Sequence, residues 1–269
     1  WDPAELGRAP FRVSHCGATD TQIAGIPCHI IPGLSAFVGG DITAGILASG
    51  MLEQEASTLL IDLGTNGEMA LGNRHRLHAC ATAAGPAFEG GANRGIWGAD
   101  MVRLLQKLLE EGLMDGQGLL KGPYFTKGVR IGDVLVTKES VRAVQLAKGA
   151  IAAGIEILAD SYGIRFSDIS KVVLAGGFGY YLDPKAAVAI GLLPEELADR
   201  TVTGGNTALS GAAMVGSRIL TAGGKQTAEG TLPDGGDDLR KRQELQIRIL
   251  NLAEEEKFPE TFLTKINFN

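Results

Sequence analysis

One stretch of the 269-residue chain, TLLIDLGTNGEMALGN at residues 58–73, places a polar turn between two apolar runs that both have the composition of buried strands. The first run ends at Asp62, and the turn contains Gly64, Thr65, Asn66 and Gly67. Asn-Gly is the favoured pair of a type I′ hairpin turn. A carboxylate beside glycine-rich backbone N–H groups is also typical of a phosphate-binding nest with a metal or water ligand next to it. The stretch by itself leaves both interpretations open.

Two later glycine turns follow a similar pattern. LAGGFG ends a buried strand with Gly176, Gly177 and Gly179, and GGNTALSGA precedes a helix near Asn206. Taken singly, the first is better explained by a tight strand-to-helix connection than by ligand contact. The second is explained by an asparagine N-cap or by a helix N-terminus that faces an anion. The alternation of strand, glycine turn and helix predicts an α/β domain whose turns gather at one edge of a sheet.

Hydrophobic periodicity predicts the remaining elements. TLLIDL, GEMALG and RLHACAT read as three strands of an antiparallel meander. Apolar residues at helical spacing predict a helix from Asp100 to about Gly112 and a longer one from about Glu139 to Tyr162, ended by Gly163. Further predictions are a helix after Gly40 with Asp41 as a candidate cap, one short strand in VRIGDVLV, a helix capped by Asp183, an edge strand with alternating Leu245, Ile247 and Ile249, and a terminal helix with Phe258 and Phe262.

Charge and composition limit the partners and the compartment. A net charge of −6 and a pI near 5.3 argue against nucleic acid or an anionic membrane as a partner. The most apolar long segment, 141–160, carries Arg142, Lys148, Glu156 and Asp160 and is too polar to span a bilayer. Three cysteines without C-x-x-C spacing form neither a disulfide framework nor an iron–sulfur site, so a cytoplasmic location is the simplest expectation.

Several familiar catalytic motifs are missing from the sequence. It has no G-x-x-x-x-G-K-[ST], no G-x-G-x-x-G after a strand and no G-x-S-x-G. The spacing His75-x-x-His78-x-Cys80 could suggest a metal site, but alternate residues on one strand would supply at most part of a metal shell, so a solvated hairpin is the favoured explanation. The glycine turns are therefore the main candidates for chemistry.

A family resemblance is carried by five segments in this order: VGGDITAGILA, LLIDLGTNGEMALGN, ACATAAGPAFEGG, AGGFGYYLDPKAAVAIGLLP and GNTALSGA. They look like the C-terminal ATPase region of the reductive activators of corrinoid proteins, and the resemblance covers most of residues 30–216. Within them, LLIDLGTNGE resembles the second phosphate motif of the actin, Hsp70 and sugar-kinase superfamily, and VVLAGGFG resembles its adenosine motif.

The resemblance implies a fold and an activity. The fold is α/β: a ribonuclease H-like, actin-like ATPase half-domain with a mixed sheet flanked by helices and a helical insertion. The activity uses ATP and Mg to drive an electron from a ferredoxin-type iron–sulfur domain to the cob(II)alamin of a corrinoid protein or methyltransferase. The implied role of Asp62 is to position the metal ion, directly or through water, or the attacking water. Gly64, Thr65 and Asn66, in the turn that Gly67 completes, would hold the terminal phosphates.

The other implied nucleotide contacts come from two glycine-rich segments. Gly176, Gly177 and Phe178 of the adenosine motif would line the α-phosphate and the adenosine. Glu89, in GPAFEGG, would contact the ribose or the adenine; the alternative is a carboxylate that only stabilises its own loop.

The resemblance also implies that part of the site lies elsewhere. The superfamily holds its nucleotide between two halves that each carry a phosphate motif, but only one strand-Asp-x-Gly-Thr occurs here. We therefore expect residues 1–57 to end the first half, including a connecting helix, and 58–221 to form the second half with an insertion at about 93–136. A flexible loop is expected at 222–238, and 239–269 would close the domain. An iron–sulfur cluster is expected only in a missing N-terminal domain.

Two other classes of function remain open at this stage. A kinase for acetate, a sugar or a similar acceptor would need a base for the acceptor hydroxyl, and the sequence nominates none. A non-catalytic docking module would keep the fold and lose the site. The sequence also leaves open whether the chain forms a homodimer and whether it binds ATP without the first half.

Overall fold

The computed structural model describes residues 19–23, 26–83, 87, 98–131, 134–221, 239 and 242–269. The strands in this part of the chain are β1 (Thr19–Ile23), β2 (Ile26–Ile30), β3 (Thr58–Leu63), β4 (Gly67–Gly72), β5 (Arg76–Thr82), β6 (Val129–Ile131), β7 (Val134–Val136), β8 (Lys171–Ala175), β9 (Thr201–Gly205) and β10 (Gln246–Leu250). The α-helices are α1 (Gly40–Ser49), α2 (Gly98–Glu110), α3 (Tyr124–Lys127), α4 (Lys138–Tyr162), α5 (Gly176–Gly179), α6 (Pro184–Ala189), α7 (Thr207–Thr221) and α8 (Phe258–Lys265).

The main sheet has six strands in the order β10-β5-β4-β3-β8-β9. The pairs β3–β4 and β4–β5 are antiparallel, which confirms the predicted meander. The pairs β3–β8, β8–β9 and β5–β10 are parallel, so the sheet is mixed. As a result, the carboxyl ends of β3, β5, β8, β9 and β10 lie along one edge, and the β3–β4 turn lies in the middle of it.

Helices cover both faces of this sheet. On one face α4, α2 and α6 bury the side chains of Leu59, Ile61 and Met69. On the other face α1 and α7 cover Leu60 and Ala70. Neighbouring residues of a strand point to opposite faces, so the nearly continuous burial of β3 follows from this two-sided cover.

The helix boundaries follow local signals. Helix α4 begins after Thr137, whose side chain accepts a hydrogen bond from the Ser140 backbone N–H, and ends at Gly163 with a φ of 80°. Asp183 caps α6 as predicted, its Oδ1 accepting from the Lys185 N–H at 2.9 Å. The prediction that Asp41 caps α1 is wrong. Gly39 is the N-cap residue, and Asp41 lies in the first turn, where its Oδ1 accepts from the Ile42 N–H.

The two helices on the second face approach each other closely. A Cβ added to Gly211 of α7 would lie 2.0 Å from the Ala44 carbonyl oxygen of α1. A Cβ on Gly45 would lie 3.0 Å from Thr207 Oγ1 and 3.1 Å from Leu60 Cδ2. Glycine at these positions therefore lets the helix backbones touch, and this contact fixes α1 and α7 against the central strand.

The region predicted as an insertion differs in detail from expectation. Helix α2 begins two residues before the predicted Asp100 and ends at Glu110. The single strand predicted in VRIGDVLV is wrong, because β6 and β7 pair antiparallel with Ile131 opposite Val134. The loop predicted at 222–238 lies outside the described residues.

The last part of the chain closes the β5 side of the sheet. β10 is an edge strand, as its alternating pattern predicts. Helix α8 packs on α4, where Gly149 leaves room for Phe262 and Ile266. Beyond it, buried Lys148 donates to the Asn267 carbonyl oxygen, and burial lowers the pKa of this lysine to about 8.

Candidate functional site

The turn between β3 and β4 connects the middle two strands of the sheet. Leu63 pairs with Gly67, so the loop consists of residues 64–66, closed by a hydrogen bond from the Gly64 N–H to the Asn66 carbonyl oxygen at 3.0 Å. Of the two interpretations left open, the type I′ turn does not occur: it needs positive φ at both central residues, and Gly67 has no positive φ and begins β4. The hairpin itself is present, and the phosphate-nest interpretation is compatible with it.

The second glycine turn lies directly beside Asp62. β8 runs parallel to β3 with Ala175 opposite Asp62, so the chain leaves β8 next to this carboxylate. Gly176 has a φ of 82°, and a Cβ on it would lie 2.4 Å from Asp62 Oδ1 and 2.5 Å from the Leu63 carbonyl oxygen. Only glycine fits both the backbone conformation and the space here. The structure thus brings the two predicted motifs into contact.

At two glycines of the site, neither crowding by neighbouring atoms nor the backbone conformation requires glycine. A Cβ on Gly64 or Gly177 would meet nothing within 4 Å, and neither residue is among the glycines with positive φ. Gly67 differs, because a Cβ there would lie 3.2 Å from Ile151 and 3.3 Å from Thr82. An open glycine is expected where another backbone or a ligand approaches closely. Gly64 and Gly177 therefore border space available to a ligand.

The other predicted site residues are placed differently. Thr65 and Asn66 are exposed in the hairpin turn. Phe178 is 7% exposed and its side chain belongs to the hydrophobic core, so only its backbone is available to a ligand. Asn206 Oδ1 accepts from the Leu209 N–H at 2.8 Å, which makes it the N-cap of α7. Glu89 lies outside the described residues.

A group of carboxylates surrounds the hairpin. Glu68 lies opposite Asp62 in the β3–β4 register, and both share a strand face with residues that pack on α1. Burial, and secondly the nearby charge of Asp41, raises the pKa of Asp62 to about 6. Burial followed by the charges of Asp62 and Asp41 raises the pKa of Glu68 to about 7, although hydrogen bonds from its own backbone and the Asn66 side chain oppose the rise.

Sequence reasoning did not include Glu68 or Asp41 in the site. Glu68 has a signal in the sequence, because a hairpin closed by Leu63 and Gly67 sets it directly across from Asp62. Asp41 has none: only the approach of the α1 N-terminus to the hairpin brings it near. These carboxylates give the site a concentration of negative charge that a cation would relieve.

The donor set suits magnesium only together with a ligand. Among the described residues, no group of three or more His, Cys, Asp and Glu side chains is arranged to hold a metal ion. Magnesium in phosphate-transfer sites is commonly held by one or two carboxylates, with phosphate oxygens and waters completing the shell. Asp62 beside two open glycines fits that arrangement.

Fold and site together define a domain of the actin-like ATPase type. The chain belongs to the family described as the C-terminal domain of RACo, the ASKHA domain, whose profile matches residues 56–94 and 91–227. The mixed, helix-flanked sheet and this match confirm the predicted fold class.

Individual relatives point to the same family. The chain is 33% identical over 259 residues to the corrinoid activation enzyme RamQ of Eubacterium limosum, covering 72% of this chain and 43% of that protein. It is 27% identical over 235 residues to the Co(II) methylated amine-specific corrinoid protein reductase of Methanosarcina barkeri, covering 68% and 43%. A solved reductive activator for a corrinoid, iron–sulfur protein superposes with a TM-score of 0.72 at 28% identity, over 89% of this chain and 44% of that one. The chain thus spans less than half the length of these relatives.

Membrane insertion has no helical candidate in the described ranges, where no helix combines the length and apolarity needed to cross a bilayer.

Proposed function

We propose that this chain is the nucleotide-binding part of a reductive activator, which uses ATP hydrolysis to drive an electron from a ferredoxin-type iron–sulfur domain to the cob(II)alamin of a corrinoid protein or corrinoid-dependent methyltransferase. The observation that carries the proposal is the contact between the Asp62 hairpin and the Gly176 turn, bordered by two glycines that face open space. The names of the relatives supply the corrinoid protein as the object of the activity.

The glycine turns bind the nucleotide through their backbone. Thr65 and Asn66 hold the terminal phosphates, since a tight polar turn can present several polar groups to one anion. The Gly64 N–H closes the loop on the Asn66 carbonyl oxygen, and the missing side chain of Gly64 lets a phosphate approach the turn. On the other side, Gly177 lets the α-phosphate approach the backbone, and Phe178 contributes its main chain. Glu89 remains a proposal for the ribose or adenine contact.

The two carboxylates of the hairpin have different roles in the proposal. Asp62 holds Mg, directly or through water, and bound MgATP supplies the phosphoryl group whose hydrolysis releases free energy. Glu68 lies directly opposite Asp62 in the strand register and on the same strand face, and its role in the proposal is to take a proton from the attacking water.

The proposal includes a site shared between two halves. Residues 1–57 would end the first half, and 58–221, with an insertion at about 93–136, would form the second. Closure of the first half over the phosphates would couple hydrolysis to a conformational change, because a nucleotide acts at a distance only by binding two states differently. The cytoplasm and a homodimeric state belong to the same proposal.

Absorbance spectroscopy of the corrinoid tests the proposal. The full-length protein, its corrinoid protein in the cob(II)alamin state, an electron donor and MgATP are mixed without oxygen. We expect cob(I)alamin to form with ATP and not with a non-hydrolysable analogue. Asp62→Ala should abolish ATP hydrolysis and cob(I)alamin formation while the absorbance of the iron–sulfur cluster stays unchanged. Undiminished hydrolysis by this variant would contradict the role of Asp62, and ATP-independent reduction by the wild type would contradict the function.

A further inference from the structure

An open crevice of about 1010 Å³ lies on the opposite side of the phosphate hairpin from the Gly176 turn. In the strand order, β8 and β9 flank the hairpin on the nucleotide side, and β5 and β10 flank it on the other. The crevice is bounded by the carboxyl ends of β5 and β10, by α4 and α8, and by the loop that precedes α1. Asn66 and Glu68 belong both to its lining and to the hairpin.

The walls of this crevice are mostly apolar. They include Leu146 of α4, Ile249 and Leu252 at the end of β10, and Phe258 and Phe262 of α8, whose rings stack with centroids 6.2 Å apart. A small hydroxylated acceptor needs a dense set of hydrogen-bonding groups around it, and these walls do not provide one. The crevice is better suited to aliphatic or aromatic side chains.

One large aromatic side chain at the crevice is exposed to solvent. Phe37, in the loop before α1, is 75% exposed, and Leu146 on the facing wall is 42% exposed. An exposed aromatic residue at the border of an apolar recess is typical of a surface that binds another polypeptide, because aromatic anchors dominate such contacts.

Negative charge surrounds the apolar walls. Asp41 and Glu68 line the inner end. At the β10 end, Glu254, Glu255 and Glu256 follow directly after Ala253, and the charge of the next residue, Lys257, is paired with Asp160 at 3.5 Å. None of the described residues that line the crevice is Lys, Arg or His. A partner segment with lysine or arginine beside its apolar residues is therefore complementary in charge as well as in polarity.

We infer that the crevice receives an apolar, lysine- or arginine-flanked segment of the protein that the activator reduces. The inference rests on the proposed function for the identity of that protein, and on the crevice for its chemistry. Asn66 and Glu68 are shared with the hairpin, so an occupied crevice and a bound nucleotide each change the surroundings of the same two side chains. Coupling of this kind is reciprocal: if the partner tightens nucleotide binding, the nucleotide tightens partner binding by the same factor.

Binding measurements on the full-length protein test the inference. The first probe is its corrinoid protein, measured by interferometry, and the second is a fluorescent, short amphipathic helix made of leucine and lysine. Phe37→Ser and Leu146→Ser should each weaken both complexes by about tenfold or more. The matched control is Leu220→Ser, since Leu220 is 74% exposed on α7, away from the crevice, and its replacement should leave binding within about twofold. ATP hydrolysis in the absence of partner should be unchanged in all three variants.

Charge is tested separately. Glu254→Lys with Glu256→Lys should weaken both complexes, and a peptide of leucine and glutamate should bind about tenfold more weakly than the lysine peptide at low salt. Unchanged binding by Phe37→Ser and Leu146→Ser, or equal binding of the two peptides, would overturn the inference. A protein that binds neither probe overturns it too. If these variants instead dissociate a dimer of the protein alone, the crevice holds a second copy and the inference is wrong.

Failure of the proposed function gives a different result. In that case the wild type does not reduce cob(II)alamin to cob(I)alamin when ATP and the electron donor are present, whereas the peptide measurements still test the crevice. Normal cob(I)alamin formation at unchanged corrinoid-protein affinity in Phe37→Ser and Leu146→Ser would leave the function intact and reject the docking site alone.

Discussion

Glycine serves two opposite purposes in two regions of this molecule. Between α1 and α7 the glycines are crowded: a Cβ on Gly211 would lie 2.0 Å from a backbone oxygen. At the hairpin edge, Gly64 and Gly177 have no neighbour within 4 Å of a Cβ, and their backbone conformations do not require glycine. The crowded glycines of the helix pair stabilise the fold, whereas the two open glycines at the hairpin leave room for a ligand. Gly176 is crowded like the helix glycines but lies at the site, because its nearest neighbour is the Asp62 carboxylate.

The largest effect is expected at the helix pair. Gly211→Ala must push α7 away from α1, because its Cβ would meet backbone rather than a flexible side chain. We expect the free energy of unfolding to fall by about 3 kcal/mol, measured by urea denaturation. The control is Gly216→Ala on the same helix, where a Cβ meets nothing within 4 Å; it should stabilise the protein by about 0.5–1 kcal/mol. Equal changes in the free energy of unfolding for the two variants would contradict the claim that Gly211 is crowded and Gly216 is not.

Gly176→Ala should reduce both stability and nucleotide binding. Its φ of 82° is strained for alanine, and the new methyl group would displace the Asp62 carboxylate. We expect a loss of about 2 kcal/mol in the free energy of unfolding. Calorimetric titration of the full-length protein with MgATP should also show at least about tenfold weaker binding at a temperature where the variant is folded. A lower stability with unchanged affinity for MgATP would show that Gly176 supports the fold and not nucleotide binding.

The carboxylates at the hairpin predict a pH dependence of stability. The pKa values of Asp62 and Glu68 are raised to about 6 and about 7 in the folded protein, so between about pH 4 and pH 7 the folded state binds more protons than the unfolded state. Their contribution to stability is therefore greatest at acid pH and falls as the pH rises through these values. Glu68→Gln removes one of the two groups.

The thermal midpoint of Glu68→Gln should accordingly exceed that of the wild type at about pH 8, and the difference should shrink towards about pH 4, where Glu68 is neutral in both states. Lys171→Gln, at the far end of β8, is the charge-change control and should shift the midpoint equally at both pH values. A difference for Glu68→Gln that is constant with pH would contradict the raised pKa.

The smallest effect is expected at Thr207, between the two regions. Its Oγ1 is buried, and among the described residues it is the one buried side-chain polar atom with no hydrogen-bond partner. Thr207→Val removes the unsatisfied hydroxyl at similar volume, so we expect a gain of up to about 1 kcal/mol in urea denaturation. A loss of more than about 1 kcal/mol would indicate that the hydroxyl has a partner after all.

Local signals account for what the sequence predicted well. The meander, the long helix ended by Gly163 and the Asp183 cap depend on residues close together in the chain, and all three were confirmed. The contact of Gly176 with Asp62 depends on β8 pairing with β3, more than 100 residues away in sequence. The sequence predicted only that the glycine turns gather at one edge of a sheet, and no local pattern specifies which strands pair there.

The one wrong cap has the same origin. Asp41 was interpreted as a cap because it stands near the start of a helix, yet the N-cap residue is Gly39, two positions earlier, and the carboxylate lies near Asp62 through tertiary packing. The ring of Phe178 packs in the core, so its expected contact with the nucleotide stays a prediction for its backbone. Packing between distant parts of the chain, and not the local motif, placed both side chains.

The most direct test of the central claim is a double variant, Gly64→Ala with Gly177→Ala, in the full-length protein. Its unfolding midpoint in urea and its affinity for MgATP are measured side by side. Because both methyl groups enter open space, we expect the midpoint to stay the same or rise slightly, while the affinity falls by at least about tenfold. Unchanged affinity at unchanged stability would contradict the claim that the open glycines face the nucleotide.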